Sequence, residues 1–225
     1  MTLQKHLVHF TCLFLILCHS TAFSVNEALV DSLKKELTKT KQDSNRVKLL
    51  NDIGAYLLGD RKFNEAFDYL QQGQQLSEKL DYKNGIVIAL NRKGLLFLNQ
   101  SIYAKALDCF SKALIVSKKA NYKKGEADVM SNMGIAYCDL GEYAKALTNY
   151  VAALKIREEI KDIHGTSLSL MSIANIYYLQ TKYSRALEFY LKILKIKGVN
   201  EDSYFYAQVI YNTGLAYMQL KDYPT

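Results

Sequence analysis

Any chemistry on this chain would have to come from a handful of side chains, because its 225 residues include only four cysteines and four histidines. His6, His9 and His19 sit with Cys12 and Cys18 near the start, which leaves His164, Cys109 and Cys138 for everything beyond. A nucleophilic array needs its histidine within reach of a serine and an acid. His164 instead stands beside Gly165, in what reads as a loop between two units. Cys109 and Cys138 have the spacing of neither a zinc ligand set nor a disulfide framework. Glu158 and Glu159 are adjacent, so on a helix they point apart and cannot act as facing acid and base. No glycine run follows the G-x-x-x-x-G-K-[ST] order that cradles a phosphate. The expectation is a chain that is not an enzyme, with no catalytic residue, no bound cofactor and no metal site.

The residues that do recur are architectural. Gly54, Gly94, Gly134, Ala174 and Gly214 follow one another at steps of forty. Nine residues after each comes Phe63, Tyr103, Tyr143, Tyr183 or Tyr223, and three further on Ala66, Ala106, Ala146 and Ala186. A constant period in this range marks stacked supersecondary units rather than a single-core globule. Within one unit, Met130, Met133, Gly134 and Tyr137 precede a turn at Gly141, and Ala146, Tyr150, Ala153 and Leu154 follow it. Steps of three and four place each set on one helix face, so a unit is two amphipathic helices joined by a tight turn. Gly134 and Ala146 are small where the helices cross, and Tyr137 and Tyr150 fill the remaining gap. The stretches ending in Gly85, Gly125 and Gly165 read as breaks between units, with glycine supplying a left-handed helix terminus.

Apolar residues make up 49% of the chain, enough for a continuous interior, and the formal net charge is +7. Lysines are interleaved with glutamates, and the clusters at Lys118, Lys119, Lys123 and Lys124 read as solvated helix ends. That pattern predicts no nucleic-acid partner. Residues 1–24 are of another kind: Lys5 and His6 precede an apolar run from Phe10 to Leu17, and Ser20, Ala22 and Ser24 supply small residues for cleavage. The run is too short to cross a bilayer comfortably, so it reads as a signal peptide and the mature chain as exported, periplasmic or extracytoplasmic. Residues 25–45 are expected to form an N-terminal capping helix and 46–225 an array of about four full repeats and a truncated fifth. Ile210, Leu215 and Tyr217 of that fifth unit meet no second helix before Thr225. A longer parent protein is therefore expected, along with self-association through the uncapped repeat.

Leu90, Gly94, Phe97, Tyr103, Ala106, Phe110 and Ala113 in the second unit, with Leu170, Ala174, Tyr177, Tyr183, Ala186 and Tyr190 in the fourth, resemble the tetratricopeptide repeat. The likeness covers roughly residues 46–225. Two features depart from the family: the period is forty instead of thirty-four, and Glu78, Lys118, Glu158 and Gly198 stand where a proline usually closes the second helix. Without that proline the second helix is expected to run on. The resemblance implies an all-α, right-handed α-solenoid whose first helices line a concave face. Mapped onto this chain, the peptide-binding groove would consist of Asn51, then Asn91, Leu98 and Asn99, then Ser131 and Asp139, then Met171, Asn175 and Tyr178. Asparagine offers both a donor and an acceptor, so a ladder of them could pair with an extended backbone whatever its side chains.

The resemblance therefore implies a protein or extended-peptide partner. The leader, the entry from Asp43 to Asn51 and the forty-residue units also resemble the exported N-terminal region of bacterial signalling proteins, of histidine-kinase or DNA-binding-regulator type. In such proteins a transmembrane helix and an output domain follow, and membrane contact would come only through that downstream helix. The alternative is a free exported scaffold or assembly factor.

Overall fold

The computed structural model describes residues 27–220. The signal-peptide reading, with Cys12 and Cys18, falls outside the described residues, as do Asp222 and Tyr223. The described chain is all-α, built of helix-turn-helix repeats of the expected tetratricopeptide type, and contains no strand. Ten α-helices follow one another: α1 (Glu27–Lys39), α2 (Ser44–Gly59), α3 (Phe63–Lys79), α4 (Lys83–Asn99), α5 (Tyr103–Lys119), α6 (Lys123–Asp139), α7 (Tyr143–Glu159), α8 (Ile163–Leu179), α9 (Tyr183–Leu194) and α10 (Ser203–Leu220). A short 3-10 helix, Val199–Glu201, precedes α10.

The period of forty has a simple origin. Helices α3 to α8 are each 17 residues long, and three residues separate each from the next. With no proline to stop it, the second helix of a repeat runs as long as the first. Every link then closes in the same way. Its central residue is left-handed, in turn Arg61, Asp81, Ser101, Asn121, Gly141, Lys161 and Thr181, with φ between 50° and 76°. The N–H of Asp81 donates to the Glu78 carbonyl at 3.2 Å and that of Tyr82 to the Ser77 carbonyl at 2.8 Å, and the other links repeat this pair. This Schellman arrangement satisfies carbonyls that the helix end would otherwise leave open. A residue with a Cβ gives up about 1–2 kcal/mol in that conformation, yet only Gly141 among the seven is glycine.

The glycines expected to terminate helices do something else. Gly85, Gly125 and Gly165 lie inside the first turns of α4, α6 and α8 without positive φ. A Cβ would fall 2.9 Å from Val47 at Gly85, 3.0 Å from Val87 at Gly125 and 2.8 Å from the Arg157 side chain at Gly165. Close approach, not backbone handedness, keeps these positions small. His164 is likewise helical, in the first turn of α8, with its ring 6.1 Å from that of Phe205.

The chain divides into two compact units, Met1–Gly125 and Glu126–Thr225. In the first, Val30 and Leu37 of α1 join Val47, Leu50, Ile53, Leu57 and Leu70 in one buried cluster. Each such side chain contributes on the order of 1.5–3 kcal/mol by leaving water. A Cβ on Gly54 would come within 2.6 Å of Leu70, and one on Gly94 would run into the ring of Phe110. In the second unit, a Cβ on Gly134 would stand 2.7 Å from Tyr150, and Ala174 shares a buried cluster with Tyr190. The repeated small residue is therefore a notch, filled each time by a large side chain of the following helix.

Two cationic side chains are buried among the described residues, one in each unit. Lys93 on α4 donates to the amide oxygens of Gln71 at 2.5 Å and Gln74 at 3.1 Å, and lies 4.7 Å from the centre of the Phe67 ring. Arg157 on α7 donates to Asp128 at 3.0 Å, to the Gly165 carbonyl at 3.1 Å and to Ser169 at 2.7 Å, so it joins α6, α7 and α8. The last link of the second unit breaks the rule. Helix α9 has only 12 residues, Gly198 turns left-handed at φ 88°, and Asp202 caps α10 by accepting from the Phe205 N–H at 3.0 Å.

Candidate functional site

The first helix of each repeat shows its accessible face as a narrow stripe. In α2 this is Lys48, Asp52, Ala55 and Gly59, and in α4 it is Ile88, Arg92, Leu95 and Asn99. The second unit repeats the stripe as Asp128, Asn132, Ile135 and Asp139 on α6, then Leu168, Ser172, Asn175 and Leu179 on α8, then Gln208, Asn212, Leu215 and Gln219 on α10. Steps of four, three and four keep these residues on one helical face. In the first unit the stripes of α2 and α4 are tied together, because both terminal nitrogens of Arg92 donate to one Asp52 oxygen at 3.2 Å.

This stripe corrects part of the expected asparagine ladder. Asn51 is 2% exposed, Leu98 7% and Met171 5%, so none of the three can meet a ligand. The Asn51 amide lies against Gly73 of α3, and neither its oxygen nor its nitrogen has a hydrogen-bond partner. Ser131 is half-buried, and its hydroxyl is enclosed without a partner. One residue along a helix is a rotation of about 100°, enough to turn a position from the wall into the core. The inner-face positions of a shorter repeat, carried onto longer helices, land one residue away from the open stripe. Asn91 is half-buried and Asn99 is exposed at the end of α4. Asn175 does lie on the stripe, but its oxygen already accepts from the Tyr190 hydroxyl at 2.5 Å. Burial holds that phenol well above its usual range.

The positions missed were Asp52, Arg92, Asn132, Ser172 and Asn212. They were legible as a phase that is polar in every unit, whereas the phase one residue earlier passes from asparagine through serine to methionine and tyrosine. Constant polarity at one phase was the better sign of an exposed wall.

Asp139 closes the stripe of α6, whereas Tyr178 stands one residue before Leu179, to the side of the α8 stripe. Asp139 is the last residue of α6 and half-buried, and burial pushes its carboxyl up to about 6. Tyr178 meets the Tyr183 ring edge-on at 5.2 Å. Burial, with Tyr183 close by, raises its phenol, while a hydrogen bond shared with Gln219 acts the other way. No group of three or more metal-ligating side chains occurs among the described residues. No described helix is long and apolar enough to cross a membrane.

Residues 125–198, from the first turn of α6 to the end of the α9 region, match the tetratricopeptide repeat family model. Among solved structures the chain is similar to BtubC (BKLC) from P. vanneervenii, with TM-score 0.76 and 15% identity over 89% of this chain and 86% of that one. It is similar to a Rap protein complexed with Competence and Sporulation Factor, with TM-score 0.73 and 18% identity over 85% of this chain and 58% of that one. NprR in complex with its cognate peptide NprX aligns with TM-score 0.62 and 18% identity, over 98% of this chain and 62% of NprR. The chain thus spans less than two thirds of the Rap and NprR chains, and identities this low show the fold alone. No curated protein sequence matches it significantly.

Proposed function

We propose that this chain is a non-catalytic module that binds a protein partner through extended peptide segments held on the half-exposed stripes of the first helices within each unit. The observation that carries this reading is the polar phase Asp52 and Arg92 in the first unit and Asn132, Ser172 and Asn212 in the second, which returns every forty residues on the accessible side of its own helix. Side chains at that spacing offer donors and acceptors to a peptide backbone without demanding a particular sequence. The similarity in fold to NprR, which holds a cognate peptide, supports the same use. The finer reading is an exported, extracytoplasmic sensing region of a bacterial signalling protein. It rests on Lys5, the short apolar run that follows and the small residues Ala22 and Ser24.

Selection of displayed dodecapeptides on the purified protein tests the binding role. Selected peptides should bind a few-fold more weakly to Asn132→Ala and Asn212→Ala, each lost hydrogen bond being worth roughly 0.5–1.5 kcal/mol. Lys119→Ala, on an exposed helix end, should bind as the parent does. Equal losses in all three variants, or no selected peptide, would remove the reading. N-terminal sequencing of protein from the producing cell tests export, and an intact Met1 on soluble protein would refute it.

A further inference from the structure

Of the described α-helices only α8 and α10 contain no Asp, Glu, Lys or Arg. For α8 the reason is plain. It packs on one side against Ala146 and Tyr150 of α7 and on the other against Ala186 and Tyr190 of α9. Helix α10 has the composition of a helix covered in that way, yet it is packed on one side only. Phe205, Val209 and Ala216 join Tyr190 and Ile193 of α9 in the core, whereas Tyr204, Tyr211 and Met218 are each more than half exposed. Large apolar side chains gathered on one uncharged helix face mark an interaction surface.

That face has a definite relief. Tyr204, Ala207, Tyr211, Gly214 and Met218 follow at steps of three and four, so they form one stripe, and all five are exposed. Large and small residues alternate along it. Gly214 stands at the phase of Gly54, Gly94 and Gly134, where a Cβ would collide with Leu70, Phe110 or Tyr150. At Gly214 nothing among the described residues lies within 4 Å of such a Cβ, so this notch is open. Turned end for end about a point between Asn212 and Thr213, the stripe becomes its own complement. Tyr211 of each copy then faces Gly214 of the other, and Met218 faces Ala207. A large side chain opposite a small one is the condition for close interdigitation of helices. A helix without charge also meets its own copy without like-charge repulsion, and a two-fold pair uses the same patch on both sides.

We propose that two copies of this chain pair antiparallel through α10 about a two-fold axis, each placing its Tyr211 ring in the Gly214 notch of the other. The ring does between copies what Phe110 and Tyr150 do within the chain. Ile210, about half exposed, borders the stripe and adds apolar area to the contact. A single pair of helices makes a small interface beside the about 1,200–2,000 Å² of a stable complex, so the dimer is reversible and its population rises with concentration. This pairing does not depend on the peptide-binding reading.

Sedimentation velocity of the full chain under reducing conditions, from about 1 to 200 µM, tests the pairing. It should show a monomer–dimer equilibrium and no larger species. Gly214→Leu closes the notch from within, and because nothing described crowds that site the monomer should melt no lower than the parent. It should raise the dimer dissociation constant at least about tenfold, as should Tyr211→Ala, which removes the inserted ring. Ile115→Ala, a comparably exposed apolar residue on α5 of the first unit, should leave the constant unchanged. The antiparallel order is read from charge. Met218→Lys or Ala207→Glu alone should weaken the dimer, and the double variant should recover it, because each lysine then faces a glutamate of the other copy. A chain that stays monomeric throughout, or a dimer that Gly214→Leu leaves intact, overturns the proposal. A double variant no stronger than the single ones overturns the antiparallel order.

Discussion

Lys93 in the first unit and Arg157 in the second are buried to nearly the same extent, 8% and 6% exposed, but they are accommodated in opposite ways. Arg157 has a carboxylate, a carbonyl and a hydroxyl on three helices, and only its Nε lacks a partner. Lys93 has two neutral amide oxygens and an aromatic face, and burial lowers its pKa. The arginine is a staple whose charge is answered by Asp128. The lysine is a tolerated cation at a phase where Ile53, Met133 and Ile173 stand in other repeats. Equal burial therefore says little about energetic role. What matters is whether removal leaves a partner stranded.

The largest effect should come from breaking the staple. Arg157→Met strands Asp128, Ser169 and the Gly165 carbonyl, and should cost about 3 kcal/mol in denaturant unfolding. A loss under about 1 kcal/mol would mean that the node merely decorates the helix crossing. Next in size is Asp139, the unpaired counterpart of Asp128. Its carboxyl titrates near 6 in the folded chain against 3.8 when unfolded, so the fold favours its protonated form. Stability from this group is complete below about pH 3.8 and is lost as pH rises through 6. Asp139→Asn should therefore exceed the parent by about 1–2 kcal/mol at pH 8, allowing for its partial exposure, and match it near pH 3.5. A pH-independent difference would show that desolvation is not the cause.

Lys93→Met should move stability the other way from Arg157→Met, raising it by about 1 kcal/mol at neutral pH. Because the folded pKa of Lys93 lies below 10.5, the parent recovers stability as pH climbs through that lowered value toward 10.5, and the advantage of Lys93→Met should shrink over the same window. A destabilised Lys93→Met would place the lysine beside the arginine as a staple. The smallest effects belong to the links. Gly141→Ala puts a Cβ into a left-handed residue and should cost about 1 kcal/mol, although nothing crowds the site. Thr181→Gly should gain up to about 1 kcal/mol by relieving a β-branched residue at φ 60°. Thermal melts of this pair, run together, would expose any link that carries strain for another reason.

Much of this fold could be read from the sequence, because notches and large side chains recur at a fixed step and helix faces follow from spacing. Gly134 was recognisable as a crossing point with Tyr150 among its fillers, and Gly54 and Gly94 follow at the same step; the structure adds Leu70 and Phe110 as the side chains that fill those two. The links were not recognisable. Arg61, Asp81, Ser101, Asn121, Lys161 and Thr181 share a conformation without sharing a chemical type, since the Schellman bonds and the helices on either side impose it. The site was legible only to within one residue. Spacing identifies the face of each first helix, but the choice between Asn51 and Asp52 depends on how closely α3 approaches at Gly73, and a single-chain pattern does not report that distance. The shortened α9 and its 3-10 sequel were also hidden, because α10 resumes at Ser203 in the register the period demands.

Helices of equal length with identical closures give the backbone a step of twenty residues, while the side chains keep a step of forty. Seen as a gene, the array has two grammars. Loss or duplication of forty residues restores every notch and every filling side chain. A slip of twenty would leave each link intact but bring Leu114, Leu154 or Leu194 into the phase of Gly94, Gly134 or Ala174, a leucine where a neighbouring ring must enter. Unequal recombination within such an array is thus filtered by packing alone, and its length can change only in pairs of helices although its backbone would accept one at a time.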